Sequence, residues 1–154
     1  MKLMVAVSVA AVAMSFGVFM LERAEARPIA AETHPDRWPA QSSIALALKR
    51  ETVVAFVHPH CQCAQAALEG LKKTMQAHPK ALAYVMFVRP AAMDEGWEVD
   101  EHWDAAAAMA SAVVLPDPAG AEAARFGAGT GDIVVYDETG ALERGVPSGA
   151  VAAR

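Results

Sequence analysis

The spacing of apolar residues along this chain changes several times, and each change marks a different element. Leu3–Leu21 is an apolar run without a charge or a polar face, preceded by Met1-Lys2 and ended by Glu22-Arg23. Its length approaches the roughly 20 residues that span a bilayer. Ala24-Glu25-Ala26 follows, a small-x-small pattern of the kind that precedes a signal-peptidase cut. Residues 1–26 therefore read either as a cleaved signal peptide, leaving Arg27 as the mature N-terminus, or as an uncleaved membrane anchor. A core helix of the domain fits less well, since such a helix needs a polar face. Lys2 favours a cytoplasmic N-terminus. Both main readings place the remaining chain outside the cytoplasm, in the periplasm or anchored to the inner membrane and facing it.

Residues 27–43 contain Pro28, Pro35 and Pro39 and show no periodicity, which predicts a linker. Trp38 within it either packs back on the domain or stays exposed. Ile44–Leu48 reads as a short strand or a helical turn. Thr52-Val53-Val54-Ala55-Phe56-Val57 is continuous, apolar and rich in β-branched residues, the pattern of a strand buried on both faces. Pro59 ends it. Ala64, Ala67, Leu68, Leu71 and Met75 then recur at helical spacing, with Gln65, Glu69, Lys72, Lys73 and Gln76 on the other side. His78-Pro79 stops that helix.

Leu82–Val88 is a second buried strand, and Ala91–Trp97 a loop. Asp100–Ala110 is a helix whose acidic first turn suits the helix dipole. Val113–Leu115 is a strand, Gly120–Phe126 a short helix, Ile133–Tyr136 a strand, and Asp137–Gly140 a turn. Alternating strands and helices predict an α/β sheet, in a domain over residues 44–142. Residues 143–154 are weakly patterned and read as a disordered tail.

Composition narrows the function classes. The chain has 154 residues, enough for one domain plus a targeting segment, and a net charge of −5. No concentrated Lys/Arg face is present, so nucleic acid is not an expected partner. Neither a glycine-rich phosphate loop nor a serine elbow occurs, and no cofactor is expected. Of the 18 acidic residues, Asp94, Glu95, Glu98, Asp100, Glu101 and Asp104 cluster, and read as a solvated loop and helix start. Trp97 and Trp103 read as core or lid residues, and His34, His78 and His102 as scattered surface residues.

The two cysteines stand one residue apart in His58-Pro59-His60-Cys61-Gln62-Cys63. A pair so close constrains little unfolded-chain entropy, which points to chemistry rather than stability. It lies where a buried strand gives way to a helix, the edge of an open α/β sheet where sites form. Unpaired N–H groups and the positive dipole end favour a thiolate there, and protonated His58 or His60 would act in the same sense. Residues two apart on a helix are separated by about 200°, so a bond requires Cys61 on the turn and Cys63 in the first helical turn. This assigns Cys61 as the attacking thiol and Cys63 as the resolving one. A small ring of this kind is expected to be easily reduced. Two other readings remain: a copper or zinc site formed by His58, His60, Cys61 and Cys63, and a pair of inert cysteines.

The run Val54-Ala55-Phe56-Val57-His58-Pro59-His60-Cys61-Gln62-Cys63 resembles the strand–active-site–helix segment of the thioredoxin-like superfamily. Its CxC spacing and flanking His-Pro look closest to the small bacterial RedB-type group. Val85-Met86-Phe87-Val88-Arg89-Pro90, Glu95-Gly96-Trp97, Arg125-Phe126-Gly127-Ala128 and Ile133-Val134-Val135-Tyr136-Asp137 are similar to that group in the same order. The resemblance covers roughly Trp38 to Gly140.

The resemblance implies a thioredoxin-like three-layer sandwich. It also implies an enzyme of thiol–disulfide exchange acting on protein dithiols and disulfides, with the first cysteine of the usual pair falling on Cys61. The sequence departs from the pattern in having CxC for CxxC. The family's cis-proline, which holds the substrate strand and keeps metals from the cysteines, falls on Gly131. That glycine reads either as a site residue or as a plain turn, and the loss of proline favours the metal alternative. The closing strand and last helix of the family are not evident after Gly140. A degenerate, inactive member is the third functional alternative.

Overall fold

The structure, a computed structural model, describes residues 34–146. The apolar segment expected to be a signal or anchor, the first part of the proline-containing stretch, and residues 147–154 lie outside the described residues. Among the described residues no helix is long and apolar enough to cross a membrane.

Strand β1 is Thr52–Val57, and all six of its residues are buried. It is followed by α1 (Ala64–Ala77), β2 (Leu82–Arg89), α2 (Glu101–Ala107), β3 (Ala112–Pro118), α3 (Ala121–Arg125), β4 (Ile133–Tyr136) and β5 (Leu142–Val146). The sheet order is β3-β2-β1-β4-β5. β1 runs parallel to β2, and β2 to β3. β4 is antiparallel to β1, and β5 to β4. β1 is thus the central strand, which is why its sequence is apolar throughout rather than alternating.

Side chains alternate across a strand, so β1 feeds two cores. Val53, Ala55 and Val57 pack with Ala67, Leu68 and Leu71 of α1, Ala106 of α2, and Ile133 and Val135 of β4. Val54 and Phe56 pack on the opposite face with Met86, Phe126, Val134 and Tyr136. The predicted stripe of α1 is the buried one, with Met75 packed against the same cluster. The helix ends at His78, whose N–H donates to the Thr74 carbonyl, and Pro79 prevents its continuation.

Several elements differ from the sequence expectation. α2 starts at Glu101 behind Asp100, whose carboxylate accepts from the N–H groups of His102 and Trp103. It stops at Ala107 rather than Ala110, because the chain must turn there to lay Ala112 beside Ala83. Residues 44–48 form neither strand nor helix. The Ala47 N–H donates to Thr52 Oγ1 at 2.9 Å, tying this turn to the start of β1. The closing strand that the sequence did not reveal is present as β5, so residues 143–146 belong to the sheet rather than to a tail. A hairpin creates it: Asp137 Oδ1 accepts from the N–H groups of Thr139 and Ala141.

The later half of the expected linker packs on the domain. Trp38 meets Phe126 and Tyr136 edge-on, with ring centroids 5.1 and 5.3 Å away. Its N–H donates to the Gly140 carbonyl at 2.7 Å. Gly140 has φ +78°, and a Cβ there would lie 3.1 Å from that of Trp38, so glycine suits both the turn and the tryptophan. Tyr136 Oη donates to the Pro35 carbonyl at 3.0 Å. Buried Glu122 of α3 accepts from Ser43 N–H (2.8 Å) and Ser42 Oγ (2.9 Å) and pairs with Arg125.

Burial pushes the Glu122 carboxyl up, but the hydrogen bonds from Ser43 and Ser42 and the Arg125 charge outweigh it. The group is held below its ordinary value of 4.5. A carboxylate depressed in the folded state contributes stability above pH 4.5 that is lost as pH falls through the lower folded-state value. Glu122→Gln is expected to cost about 1–3 kcal/mol at pH 7 and to flatten the acid limb of stability. Urea unfolding at pH 7, 4 and 3 checks this; parallel losses in both proteins would show that Glu122 carries no acid dependence.

Candidate redox site

β1 ends at Val57, and the chain turns through residues 58–63 before α1 begins. The turn is closed by Cys61 N–H to the His58 carbonyl (3.2 Å) and Ala64 N–H to the Cys61 carbonyl (3.0 Å). Cys63 occupies the N-cap position of α1, with φ −79° and ψ −14°. Cys61 and Cys63 are joined by a disulfide, with Cα atoms 5.1 Å apart. The first cysteine lies on the turn and the second at the helix start, the arrangement that bonding at this spacing requires.

Three features act on the sulfurs. The Cys63 N–H donates to Cys61 Sγ at 3.2 Å. The first turn of the 14-residue α1 holds no acidic side chain, so its positive end is not neutralised from within. Both cysteines are half-buried.

Trp97, from the loop before α2, covers the two histidines. Its ring stands edge-on to His58 and His60, with centroids 5.5 and 4.4 Å away. His60 Nε2 lies 3.2 Å from the Trp97 carbonyl; a carbonyl only accepts, so this nitrogen carries a proton. Pro59 is buried beneath the turn. His58 Nδ1 is buried without a hydrogen-bond partner. The loop is anchored by Glu98, buried beside Trp97 and paired with Arg89 at 3.3 Å.

Gly131 precedes β4 with φ +94°. Its N–H donates to the Phe56 carbonyl at 2.6 Å, while Phe56 N–H donates to the Asp132 carbonyl at 3.0 Å. It is thereby pinned against the last residues of β1. No peptide bond among the described residues is cis.

A central strand ending in a cysteine-bearing turn, a helix returning behind it, and an antiparallel β4–β5 hairpin on the far side define the architecture. The fold is thioredoxin-like. Among solved structures, the chain is similar to MTB DsbF, solved in mixed oxidised and reduced forms, at 18% identity and TM-score 0.50. That match covers 69% of this chain and 81% of DsbF. It is also similar to a thioredoxin-like protein solved in its oxidised form, at 12% identity and TM-score 0.56, covering 80% of this chain and 90% of that one. No protein-family model matches the sequence, and no curated protein matches it.

In this thioredoxin-like frame, His58, Pro59, His60, Cys61 and Cys63 fall on one turn, and Gly131 meets the strand that feeds it. The metal set of His58, His60, Cys61 and Cys63 is not assembled in this form. Its sulfurs are bonded to each other, and both imidazoles face Trp97. Sequence reading missed Glu98, which was expected to be solvated but is 4% exposed; its spacing from Arg89 carries no local signal. Trp97 lies over the histidines as a lid, whereas Trp103 packs on Phe87 in the core, with centroids 5.2 Å apart.

Because Gly131 is buried at a positive φ, Gly131→Ala is expected to destabilise the domain by about 1–3 kcal/mol. Thermal unfolding measures this, and an unchanged midpoint would show that the turn relaxes freely.

Proposed function

We propose that this protein is a thiol–disulfide oxidoreductase working outside the cytoplasm on protein dithiols and disulfides. The observation that carries the reading is the Cys61–Cys63 disulfide on a half-exposed turn at the start of α1, with the Cys63 N–H directed at Cys61 Sγ. The thioredoxin-like fold supports it, as does the similarity to DsbF, a protein that adopts both oxidised and reduced forms. Export is inferred from the apolar run and the Ala24-Glu25-Ala26 pattern, and the RedB-type group supplies the motif resemblance.

In the reduced protein, the Cys61 thiolate attacks a partner disulfide. A mixed disulfide forms, and one partner sulfur leaves as a thiolate that takes up a proton. Cys63 loses its proton and attacks Cys61 Sγ. The Cys61–Cys63 bond forms, and the second partner sulfur is released as a thiol. Two electrons have passed to the partner. With a partner dithiol as donor, the same steps run backwards.

The helix dipole and the Cys63 N–H favour negative charge on Cys61 Sγ. Iodoacetamide is therefore expected to modify Cys61 before Cys63 in the reduced protein, as peptide mass mapping would show. Cys61→Ser is expected to abolish turnover of a disulfide substrate, and Cys63→Ser to accumulate the mixed disulfide. A Cys61→Ser protein with full turnover would remove this function. Equilibration with glutathione buffers is expected to give a potential more oxidising than about −270 mV.

A further inference from the structure

At the opposite end of β1 from the cysteines, three side chains distant in sequence come together. Glu51, His78 and Glu143 offer ligand atoms that all lie within 4.8 Å of one another. We propose that they form a zinc site, unrelated to the redox turn, that clips the edge strand β5 to the centre of the domain.

Each ligand is carried on a restrained backbone. Glu51 immediately precedes β1, and its carbonyl accepts from Leu82 N–H at 3.0 Å. His78 caps α1, and its Nδ1 is 2.9 Å from Glu51 Oε2. Glu143 lies between Leu142, which pairs with Tyr136, and Arg144, which pairs with Val135. It is the extra residue of a β-bulge, a device that re-aims a side chain out of the ladder. Here that side chain is brought to Glu51 and His78.

The donor set suits a borderline dication. One imidazole and two carboxylates satisfy zinc, neutralise its charge, and leave a fourth position for water. Bonds of about 2.0–2.2 Å in a tetrahedral site place ligand atoms roughly 3.3–3.5 Å apart. The contact between Glu51 and His78 is already shorter than that, so closure requires only modest adjustment of those two and a rotation of exposed Glu143. The surrounding groove is lined by Lys49, Arg50 and Lys80 together with Glu51, Glu143, Asp137 and Glu138, so carboxylates outnumber the cations. Six residues of β1 at about 3.3 Å each separate the site from the disulfide turn by roughly 20 Å.

Binding to the folded chain alone stabilises it. Zinc titration of the full, chelator-stripped, oxidised protein by calorimetry is expected to give one ion per chain and a higher melting temperature. Cobalt substitution is expected to give the visible spectrum of nitrogen and oxygen ligation, without a thiolate charge-transfer band. Glu143→Gln, at an exposed position that does not threaten folding, is expected to weaken zinc by about tenfold or more. His78→Gln is expected to remove it, and a Cys61→Ser/Cys63→Ser double variant to bind as wild type does. Undetectable zinc binding would overturn the site, as would binding unchanged by both Glu143→Gln and His78→Gln, or binding lost in the cysteine double variant. None of these readouts depends on disulfide exchange, so the zinc site and the oxidoreductase function stand or fall separately.

Discussion

Six consecutive side chains of β1 leave water on both faces of the sheet, and the positions of the other elements follow from that burial. A strand without a solvent face must be flanked on both edges and covered above and below. β2 and β4 supply the edges, α1 and α2 cover one face, and Phe126 with the Trp38 segment covers the other. The chain has to leave such a strand abruptly. It does so through His58–Cys63 and re-enters the core as α1, whose Ala67, Leu68 and Leu71 sit over the strand just left. The cysteine turn is therefore held from both sides by core packing, with Pro59 buried and the two cysteines half-buried.

That arrangement sets the surroundings of the cysteine pair. Two cysteines one residue apart contribute little to stability, but at a helix start they meet aligned N–H groups and an unneutralised dipole. The Cys63 N–H is directed at Cys61 Sγ. Trp97 and the two histidines form one wall of the turn, and the pair that buried Glu98 makes with half-buried Arg89 holds the loop that carries Trp97. A buried ion pair does not by itself argue for stability; here it marks where the loop is fastened beside the site.

The N-terminal approach to the domain shows a second use of buried polar groups. Glu122 satisfies Ser42, Ser43 and Arg125 at once, and Tyr136 reaches the Pro35 carbonyl. A stretch with no periodicity and two prolines in its described part is thus fastened by side chains from α3 and β4. These contacts join residues up to 101 positions apart in the chain, which is why no local pattern near Trp38 foretold them.

Local pattern was enough for β1, for α1, and for the placing of Cys61 and Cys63 at their junction. A doubly buried strand and a one-sided helix each write their burial directly into residue spacing. The strand–helix alternation likewise carried the α/β class. What spacing did not carry was β5, whose Leu-Glu-Arg-Gly-Val is exposed along most of its length and becomes a strand only because β4 offers an edge beyond the Asp137 turn. Nor did it carry the burial of Glu98, the seating of Trp38, or the meeting of Glu51, His78 and Glu143. By itself the sequence determined which segments bury themselves and where its two sulfurs stand. The tertiary structure alone decided which distant side chains share a place, because such meetings depend on strand order and register rather than on the residues beside them.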